Sequence, residues 1–219
     1  MDRPFTDRRD AGRQLAQRLT GWAGRDDVVV LALPRGGVPV AYEVAAALRA
    51  SLDVLPVCKV GVPWQPELAM GAVSSNGAQY VDDAMVREAG IAPARFEAQL
   101  EHAREELARR EALYRGARAP VPVAGRIAIV VDDGMATGAS LKAAARALAS
   151  LGPARIVAAL PVAPADARRR IGDAVDELVC ARQPPRFLSV GHYYDDFGQT
   201  DDTEVSELLD DAARRATSR

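Results

Sequence analysis

Short, mostly apolar runs alternate with longer amphipathic stretches along this chain. The apolar runs cover residues 28–33, 52–60, 126–131, 155–162 and 175–180, and Gly, Pro or charged residues bound them. Runs of this length and composition are typical of strands that are buried on both faces of a parallel sheet. The stretches between them have helical spacing, the longest at 93–115. The pattern predicts an α/β fold, a mostly parallel sheet of about five strands flanked by helices.

Length and charge limit the classes of protein that fit this pattern. At roughly 100–200 residues per domain, 219 residues predict a single domain, 1–219. A net charge of −2, from 28 basic and 30 acidic residues, argues against nucleic acid as a partner, since such binding needs a basic excess. No apolar run approaches ~18 residues and the first residues lack a hydrophobic stretch, so we expect a cytoplasmic protein without a membrane partner.

The segment VVDDGMATGAS, residues 130–140, carries the clearest chemistry in the sequence. A buried strand delivers Asp132 and Asp133, and a loop of small residues then turns into a helix. Small residues let successive backbone N–H groups converge on an anion, and a helix N-terminus adds partial positive charge. Carboxylates just upstream can accept hydrogen bonds from sugar hydroxyls. Two acidic residues followed by such an anion-binding loop, here called the anion cradle, indicate a pocket for a ribose 5-phosphate.

Other phosphate-binding motifs fit this segment poorly. A Walker A loop needs a lysine directly before the Ser or Thr, whereas Lys142 follows Ser140. A dinucleotide-binding fingerprint would need the GxGxxG spacing, which the segment lacks. An aspartyl-phosphate phosphatase would have its two acids separated by one residue, whereas Asp132 and Asp133 are adjacent.

Residues 130–140 resemble the phosphoribosyl-pyrophosphate (PRPP) signature of the type I phosphoribosyltransferases. The resemblance implies that Asp132 and Asp133 hold the ribose hydroxyls and that the loop after them holds the 5′-phosphate. The PRPP-binding residues so implied are Asp132, Asp133, Gly134, Met135, Ala136, Thr137, Gly138, Ala139 and Ser140. Gly134 stands where the family usually has an aliphatic residue, and we expect this departure to loosen the loop.

The resemblance extends to LALPRGGVPVA, residues 31–41. In the family, a loop after the first core strand grips pyrophosphate, and Arg35, Gly36 and Gly37 match it. An arginine fork beside two bare amides suits an oxygen-rich anion. Lys59 ends the next predicted strand, where the family places a basic residue facing the pyrophosphate. Residues 61–77, predicted to form a flexible loop or hairpin, match the family's loop that closes over PRPP.

The resemblance also implies a division of the chain into a core at about 25–180, a hood from 1–24 and 181–219, and a helical insertion at about 83–118. An aromatic-rich coil in the hood makes Tyr193 and Tyr194 the candidates for binding the base. The implied reaction transfers the 5-phosphoribosyl group from PRPP to a nitrogenous base and releases pyrophosphate.

The implied cofactor is Mg²⁺, held mainly by PRPP and water and by no direct protein ligand. The catalytic residues would be Arg35, Lys59, Asp132 and Asp133. The alternative function is a regulator that binds PRPP or a nucleotide without turnover. The oligomeric state stays open, with a homodimer among the options.

Overall fold

A parallel five-stranded sheet forms the centre of the molecule in the computed structural model, which describes residues 3–116 and 118–217. Its strands are β1 (Val28–Ala32), β2 (Ser51–Val54), β6 (Ile127–Val131), β7 (Arg155–Val162) and β8 (Glu177–Arg182). They lie in the order β2–β1–β6–β7–β8, and every neighbouring pair is parallel. The sheet confirms the α/β prediction.

Helices cover both faces of this sheet. The helices of the described residues are α1 (Arg8–Ala16), α2 (Gly37–Leu48), α3 (Asp83–Glu88), α4 (Pro93–Arg115), α5 (Ala139–Ala149), α6 (Ala167–Ile171) and α7 (Asp202–Thr217). The apolar sides of α1, α2 and α7 share one core with the sheet, and those of α5 and α6 share the core on the opposite face. Because both faces are covered, β1 and β6 are buried at every position, which explains their continuous apolar sequences.

The prediction of one strand over 52–60 is wrong. The chain forms two strands there, β2 and then β3 (Val57–Val62), which lies in a separate antiparallel sheet with β4 (Gln65–Ser74) and β5 (Gln79–Val81). The backbone N–H of Leu55 still donates to Ala32 of β1 at 2.8 Å. The next residue, Pro56, has no N–H to continue the ladder, and the chain leaves the main sheet.

The small sheet and α4 form a second apolar core. Val60 and Met70 from the sheet pack there with Phe96, Leu100 and Leu107 from one side of α4. Residues 61–77, predicted as a flexible loop or hairpin, contain the end of β3 and all of β4, and the hairpin of these two strands has this core of its own. Its closure over a ligand stays a prediction.

A buried ion pair joins α4 to the main sheet. The Arg115 guanidinium lies 3.2 Å from Asp53 Oδ1, and both side chains are 9% exposed. Asp53 also accepts a hydrogen bond from the Val121 N–H at 2.9 Å. With every polar group partnered, the pair fixes the C-terminal end of α4 against the end of β2.

The terminal segments pack together on one face of the sheet. The first helix, α1, ends at Ala16, and a short 3₁₀ turn covers Thr20–Trp22. Asp201 Oδ1 caps α7 by accepting a hydrogen bond from the Glu204 N–H at 2.8 Å. Phe5 pairs with Tyr194, linking the two terminal segments. No helix among the described residues is long and apolar enough to cross a membrane.

Candidate functional site

The loops after β1 and β6 meet at the carboxyl edge of the main sheet. Strand order changes direction between these neighbours, since β2 lies outside β1 whereas β7 and β8 follow β6. Such a switch point opens a crevice where ligands bind in parallel sheets. A Cβ atom on Gly36 would lie 2.1 Å from Asp133 Oδ2, and one on Gly37 would lie 2.7 Å from the carbonyl oxygen of Val131. Only glycine lets the two loops approach this closely.

Asp132 is half-buried and lines the crevice. Its Oδ1 accepts a hydrogen bond from the Asp133 N–H at 2.9 Å. Burial, followed by the charge of Asp133, raises the pKa of the Asp132 carboxyl well above its ordinary value. A polar ligand that donates hydrogen bonds to this carboxylate would offset the cost of holding its charge here.

Asp133 turns away from the crevice and pairs with Arg8 of α1. The Arg8 Nε donates to Asp133 Oδ2 at 2.9 Å, and the guanidinium lies 4.1 Å from the centre of the Phe197 ring. The Tyr194 hydroxyl donates to the carbonyl oxygen of Asp133. Burial raises the pKa of the Asp133 carboxyl, and Arg8 lowers it. The effect of burial is the larger of the two, so this pKa lies above its ordinary value. The two adjacent carboxylates therefore have different surroundings, and Asp133 is anchored from both terminal segments.

Gly134 and Met135, the first two residues of the loop after Asp133, make packing contacts. A Cβ on Gly134 would lie 2.6 Å from Val190 Cγ1, so glycine allows close contact with the hood. The expected loosening of the loop at Gly134 stays a prediction. Met135 is buried, and its N–H donates to the carbonyl of Val162 at 3.0 Å, so this amide is already used within the fold.

The remaining loop residues have the form of an anion cradle. Gly138, in the left-handed region with φ 81°, precedes the first turn of α5. Within the described part of the chain, the N–H groups of Ala136, Thr137 and Gly138 donate to no protein acceptor. The side chains of Thr137 and Ser140 are exposed beside them. Free amides and hydroxyls at the N-terminus of an 11-residue helix can bind a phosphate group.

The loops open into a cleft of about 870 Å³, which extends between the sheet edge, β3 and α4. Its lining residues are Leu33, Pro34, Val57, Cys58, Lys59, Val60, Gly61, Arg95, Ala98, Gln99, His102, Ala103, Glu106, Arg110, Tyr114, Asp132 and Ser140. Lys59 lies in the middle of β3 opposite Ala72, which corrects its predicted place at the end of a main-sheet strand. Arg35 Nη1 lies 3.8 Å from Asp202 Oδ1 at the start of α7.

The family model for the phosphoribosyl transferase domain matches residues 7–187. This chain belongs to that family. Over 210 residues it is 49% identical to two Mycobacterium tuberculosis proteins, "Putative phosphoribosyl transferase Rv0571c" of strain H37Rv and "Putative phosphoribosyl transferase MT0597" of strain CDC 1551. The matches cover 96% of this chain and 47% of each relative. The chain thus spans about half the length of these curated relatives.

Two solved structures resemble this phosphoribosyl transferase domain over nearly its whole length. TT1426 from Thermus thermophilus is 42% identical, with a TM-score of 0.84, and the match covers 94% of this chain and 97% of that one. A hypothetical protein from Neisseria gonorrhoeae with bound ppGpp is 11% identical, with a TM-score of 0.51 and coverage of 99% and 96%. The second likeness shows the fold alone.

The signature residues of the phosphoribosyl transferase family account for only part of the cleft. Its remaining polar residues come from α4: Arg95, Gln99, His102, Glu106 and Arg110. An amphipathic helix of this kind ordinarily turns its polar side to solvent. The signal available was the spacing i, i+4, i+7, i+11 and i+15, which places all five on one side of the helix. Arg8 was also missed, since nothing near it in sequence indicates its contact with Asp133.

The two tyrosines expected to bind the base lie in the hood and do not line the cleft. The ring of Tyr194 packs between Phe5 and Phe197, and the residue is 6% exposed. Tyr193 stacks on Phe187 at 5.7 Å between ring centres. The structure gives Tyr194 a packing role beside Asp133, and base binding by either tyrosine stays a prediction.

Proposed function

We propose that this chain transfers the 5-phosphoribosyl group of PRPP to a nitrogenous acceptor and releases pyrophosphate. The observation that carries the proposal is the meeting of two loops at one sheet edge: the acidic pair with its anion cradle, and the arginine–glycine loop after β1. Each loop alone is a common turn. Their contact through Gly36 and Asp133 supports a single site for a sugar that carries a phosphate at one end and a pyrophosphate at the other.

Each group of residues has a distinct task in this proposal. Asp132 accepts hydrogen bonds from the ribose hydroxyls, and Asp133, held by Arg8, fixes the backbone at the same point. The amides of residues 136–138 and the hydroxyls of Thr137 and Ser140 bind the 5′-phosphate. The Gly36 amide binds pyrophosphate together with Arg35 and Lys59, whereas the Gly37 N–H already donates to the carbonyl oxygen of Leu33 at 3.1 Å.

The chemistry follows from that placement. The bond between ribose C1 and the pyrophosphate oxygen breaks, the oxygen keeps the electron pair, and a bond to the acceptor nitrogen forms. The transition state is expected to resemble an oxocarbenium ion, as in other glycosyl transfers. Catalysis then depends on orienting the sugar, neutralising the leaving group and excluding water. The β3–β4 hairpin is the segment placed to exclude water.

Mg²⁺ fits the oxygen-rich edge of this site. The Asp132 and Asp133 carboxylates are donors of the kind that Mg²⁺ prefers, although Arg8 already pairs with Asp133. The described residues include no cluster of three or more His, Cys, Asp or Glu side chains that could hold a metal. We therefore expect Mg²⁺ to be bound mainly by PRPP and water, and when bound it neutralises charge on the pyrophosphate.

Calorimetry and a pyrophosphate-release assay test the proposal together. We expect PRPP with Mg²⁺ to bind the chain, and pyrophosphate to appear only when a suitable acceptor is added. Binding without release across a broad panel of nitrogenous acceptors would favour the alternative, a regulator that binds PRPP or a nucleotide. Failure to bind PRPP at millimolar concentration would overturn the transferase function and a PRPP-binding regulator alike, and would leave a regulator that binds a nucleotide as the function to test.

A further inference from the structure

A hydrogen bond from helix α6 holds the anion cradle from outside. Arg170 Nη1 donates to the carbonyl oxygen of Ala136 at 2.9 Å, although the two residues are 34 positions apart. Among the described residues, no other side chain from outside the loop bonds to residues 136–138. Ala136 and Thr137 are both exposed, so packing alone does not fix their backbone. Arg170 is therefore the side chain placed to orient this part of the loop.

The direction of one peptide group follows from this hydrogen bond. The peptide bond between Ala136 and Thr137 is trans, so its C=O and N–H groups point in opposite directions. Because the carbonyl oxygen points to Arg170, the Thr137 N–H points to the other side of the loop. Among the described residues this N–H has no protein acceptor, and it is thus available to an anion in the cradle.

A carboxylate in turn fixes Arg170. Asp166 Oδ1 accepts a hydrogen bond from Arg170 Nε at 2.7 Å, so the planar guanidinium contacts Asp166 and Ala136 at the same time. Asp166 Oδ2 also accepts from Arg169 at 2.8 Å. Hydrogen bonds from both arginines lower the pKa of Asp166, which keeps its negative charge at neutral pH.

The charges of these three side chains favour an anion beside the cradle. Asp166 supplies one negative charge and Arg169 and Arg170 supply two positive charges, so a net positive charge is left. The guanidinium also polarises the peptide group that it contacts, which makes the Thr137 N–H a stronger donor. Both effects act on the loop after β6 and neither acts on the loop after β1.

From these contacts we infer that Arg170 is a positioning residue for the 5′-phosphate of the sugar. It holds the Ala136 carbonyl so that the Thr137 N–H is directed at a phosphate monoester, and it thereby favours sugars that carry this group. For the identity of the ligand the inference rests on the proposed transferase function. The effect on phosphate binding does not depend on turnover and can be measured without it.

Binding of ribose 5-phosphate tests the inference without a reaction. Arg170→Met keeps much of the aliphatic stem and loses both hydrogen bonds. We expect an amide NMR titration to give a dissociation constant about 10-fold higher in this variant than in the parent. The Thr137 amide resonance should shift on binding in the parent and shift less in the variant.

Arg169→Met is the matched control. Arg169 bonds to the same carboxylate, but its side chain is 82% exposed, and none of its hydrogen bonds within the described part of the chain reaches the cradle. Each variant loses one exposed ion pair with Asp166, so the two should have similar Tm values. The affinity for ribose 5-phosphate should stay within about twofold of the parent in Arg169→Met.

Two further measurements separate positioning from charge and from catalysis. Arg170→Lys keeps the charge but lacks the planar fork that joins Asp166 to Ala136, so its affinity should remain below that of the parent. With PRPP and any acceptor that releases pyrophosphate, Arg170→Met should raise KM about 10-fold and leave kcat within about twofold, because the 5′-phosphate keeps its charge throughout the reaction. A fall in kcat at unchanged KM would contradict the inference.

The outcomes distinguish this inference from the proposed function. Binding of ribose 5-phosphate that depends on Arg170, without binding of PRPP, would overturn the transferase proposal and support the inference. PRPP binding by the parent, with equal affinities for ribose 5-phosphate in Arg170→Met and Arg169→Met, would overturn the inference alone. Full recovery of affinity in Arg170→Lys would also overturn it, since charge would then be sufficient. Binding of neither ligand by the parent would overturn both.

Discussion

Gly36 and Asp133 approach so closely that no side chain could stand between them: a Cβ on Gly36 would lie 2.1 Å from Asp133 Oδ2 and 2.8 Å from Cγ. The two residues belong to loops that follow different strands, and Arg8 binds the same carboxylate oxygen from a third element. The loop proposed for pyrophosphate and the loop proposed for ribose therefore share one packed contact. Displacing either loop would disturb the other.

Gly36→Ala tests this contact. The added methyl would have to displace the Asp133 carboxylate, and overpacking of this kind costs about 1–3 kcal/mol of unfolding free energy. We expect urea denaturation to show that loss and calorimetry to show weaker PRPP binding. Gly21→Ala is the matched control, because a Cβ there meets nothing within 4 Å and its stability should change by less than about 1 kcal/mol.

Arg8→Gln tests the anchoring of Asp133. The Arg8 and Asp133 side chains are 13% and 16% exposed, so removing the arginine leaves a largely buried carboxylate without its partner, at a cost of about 3 kcal/mol. Its neighbour provides the control: Arg9 pairs with Glu43 but is 48% exposed, and Arg9→Gln should cost less than about 1 kcal/mol in denaturant unfolding.

A double substitution decides whether the ion pair itself is responsible. In Arg8→Gln with Asp133→Asn the buried charge is gone, so we expect part of the lost stability to return. Equal destabilisation by Arg8→Gln alone and by the double variant would mean that Arg8 acts through its contacts with Phe197 and Gly198, not through Asp133.

Features set by neighbouring residues were predictable from the sequence. The apolar runs identified the strands of the main sheet, and the strand–loop–helix order at 130–140 identified the anion cradle before α5. The error at 52–60 arose because Val54 and Val57 are both apolar and composition does not show that the chain changes sheet between them. Pro56 was the available signal, since it cannot donate to a ladder.

Features set by distant contacts were not predictable. Arg8 and Asp133 are 125 positions apart, and no local pattern links them. The role of Gly134 depends on Val190, which approaches only after the hood folds over the loop. The polar residues of α4 have the same spacing whether that side of the helix faces solvent or lines a cleft. The sequence therefore does not distinguish the two. Only the position of β3 and the sheet edge shows that it borders a cleft.

Asp132→Asn should change how stability depends on pH. Burial and the charge of Asp133 raise the pKa of Asp132 in the folded chain above its ordinary value of 3.8. Between these two values the folded state binds more protons than the unfolded state, so this group's contribution to stability falls as pH rises. We expect the Tm of Asp132→Asn relative to the parent to increase as pH rises from about 4, then level off above the folded pKa.

Asp166→Asn should show the opposite sign. Hydrogen bonds from Arg169 and Arg170 lower the pKa of Asp166, so its stabilising contribution is present above its unfolded pKa and is lost as pH falls through the folded pKa. Asp166→Asn should have a lower Tm than the parent at neutral pH, and the two Tm values should converge in acid.

The Asp132→Asn prediction has its own contradicting outcome. Parallel Tm curves for Asp132→Asn and the parent across the acid range would refute the burial of the Asp132 charge.

Arg35→Ala and Lys59→Ala test the proposed hold on the leaving group. Each residue would stabilise negative charge that develops on pyrophosphate as its bond to ribose breaks, and losing one preorganised donor typically slows a reaction ~10²–10³-fold. A product nucleoside monophosphate carries no pyrophosphate, so its affinity should be nearly unchanged. The measurements are kcat from pyrophosphate release and the dissociation constant of the product by calorimetry.

The chain's other lysine provides a matched control for this prediction. Lys142 lies on α5 and does not line the cleft, so Lys142→Ala should leave kcat within about twofold of the parent, whereas Lys59→Ala reduces it by at least ~10²-fold. If Lys59→Ala weakened the product nucleotide and PRPP by the same factor, Lys59 would be contacting the part that both ligands share. Its role would then move from the leaving pyrophosphate to the sugar or its 5′-phosphate. The charge that neutralises pyrophosphate would have to come from Arg35, the Gly36 amide and Mg²⁺.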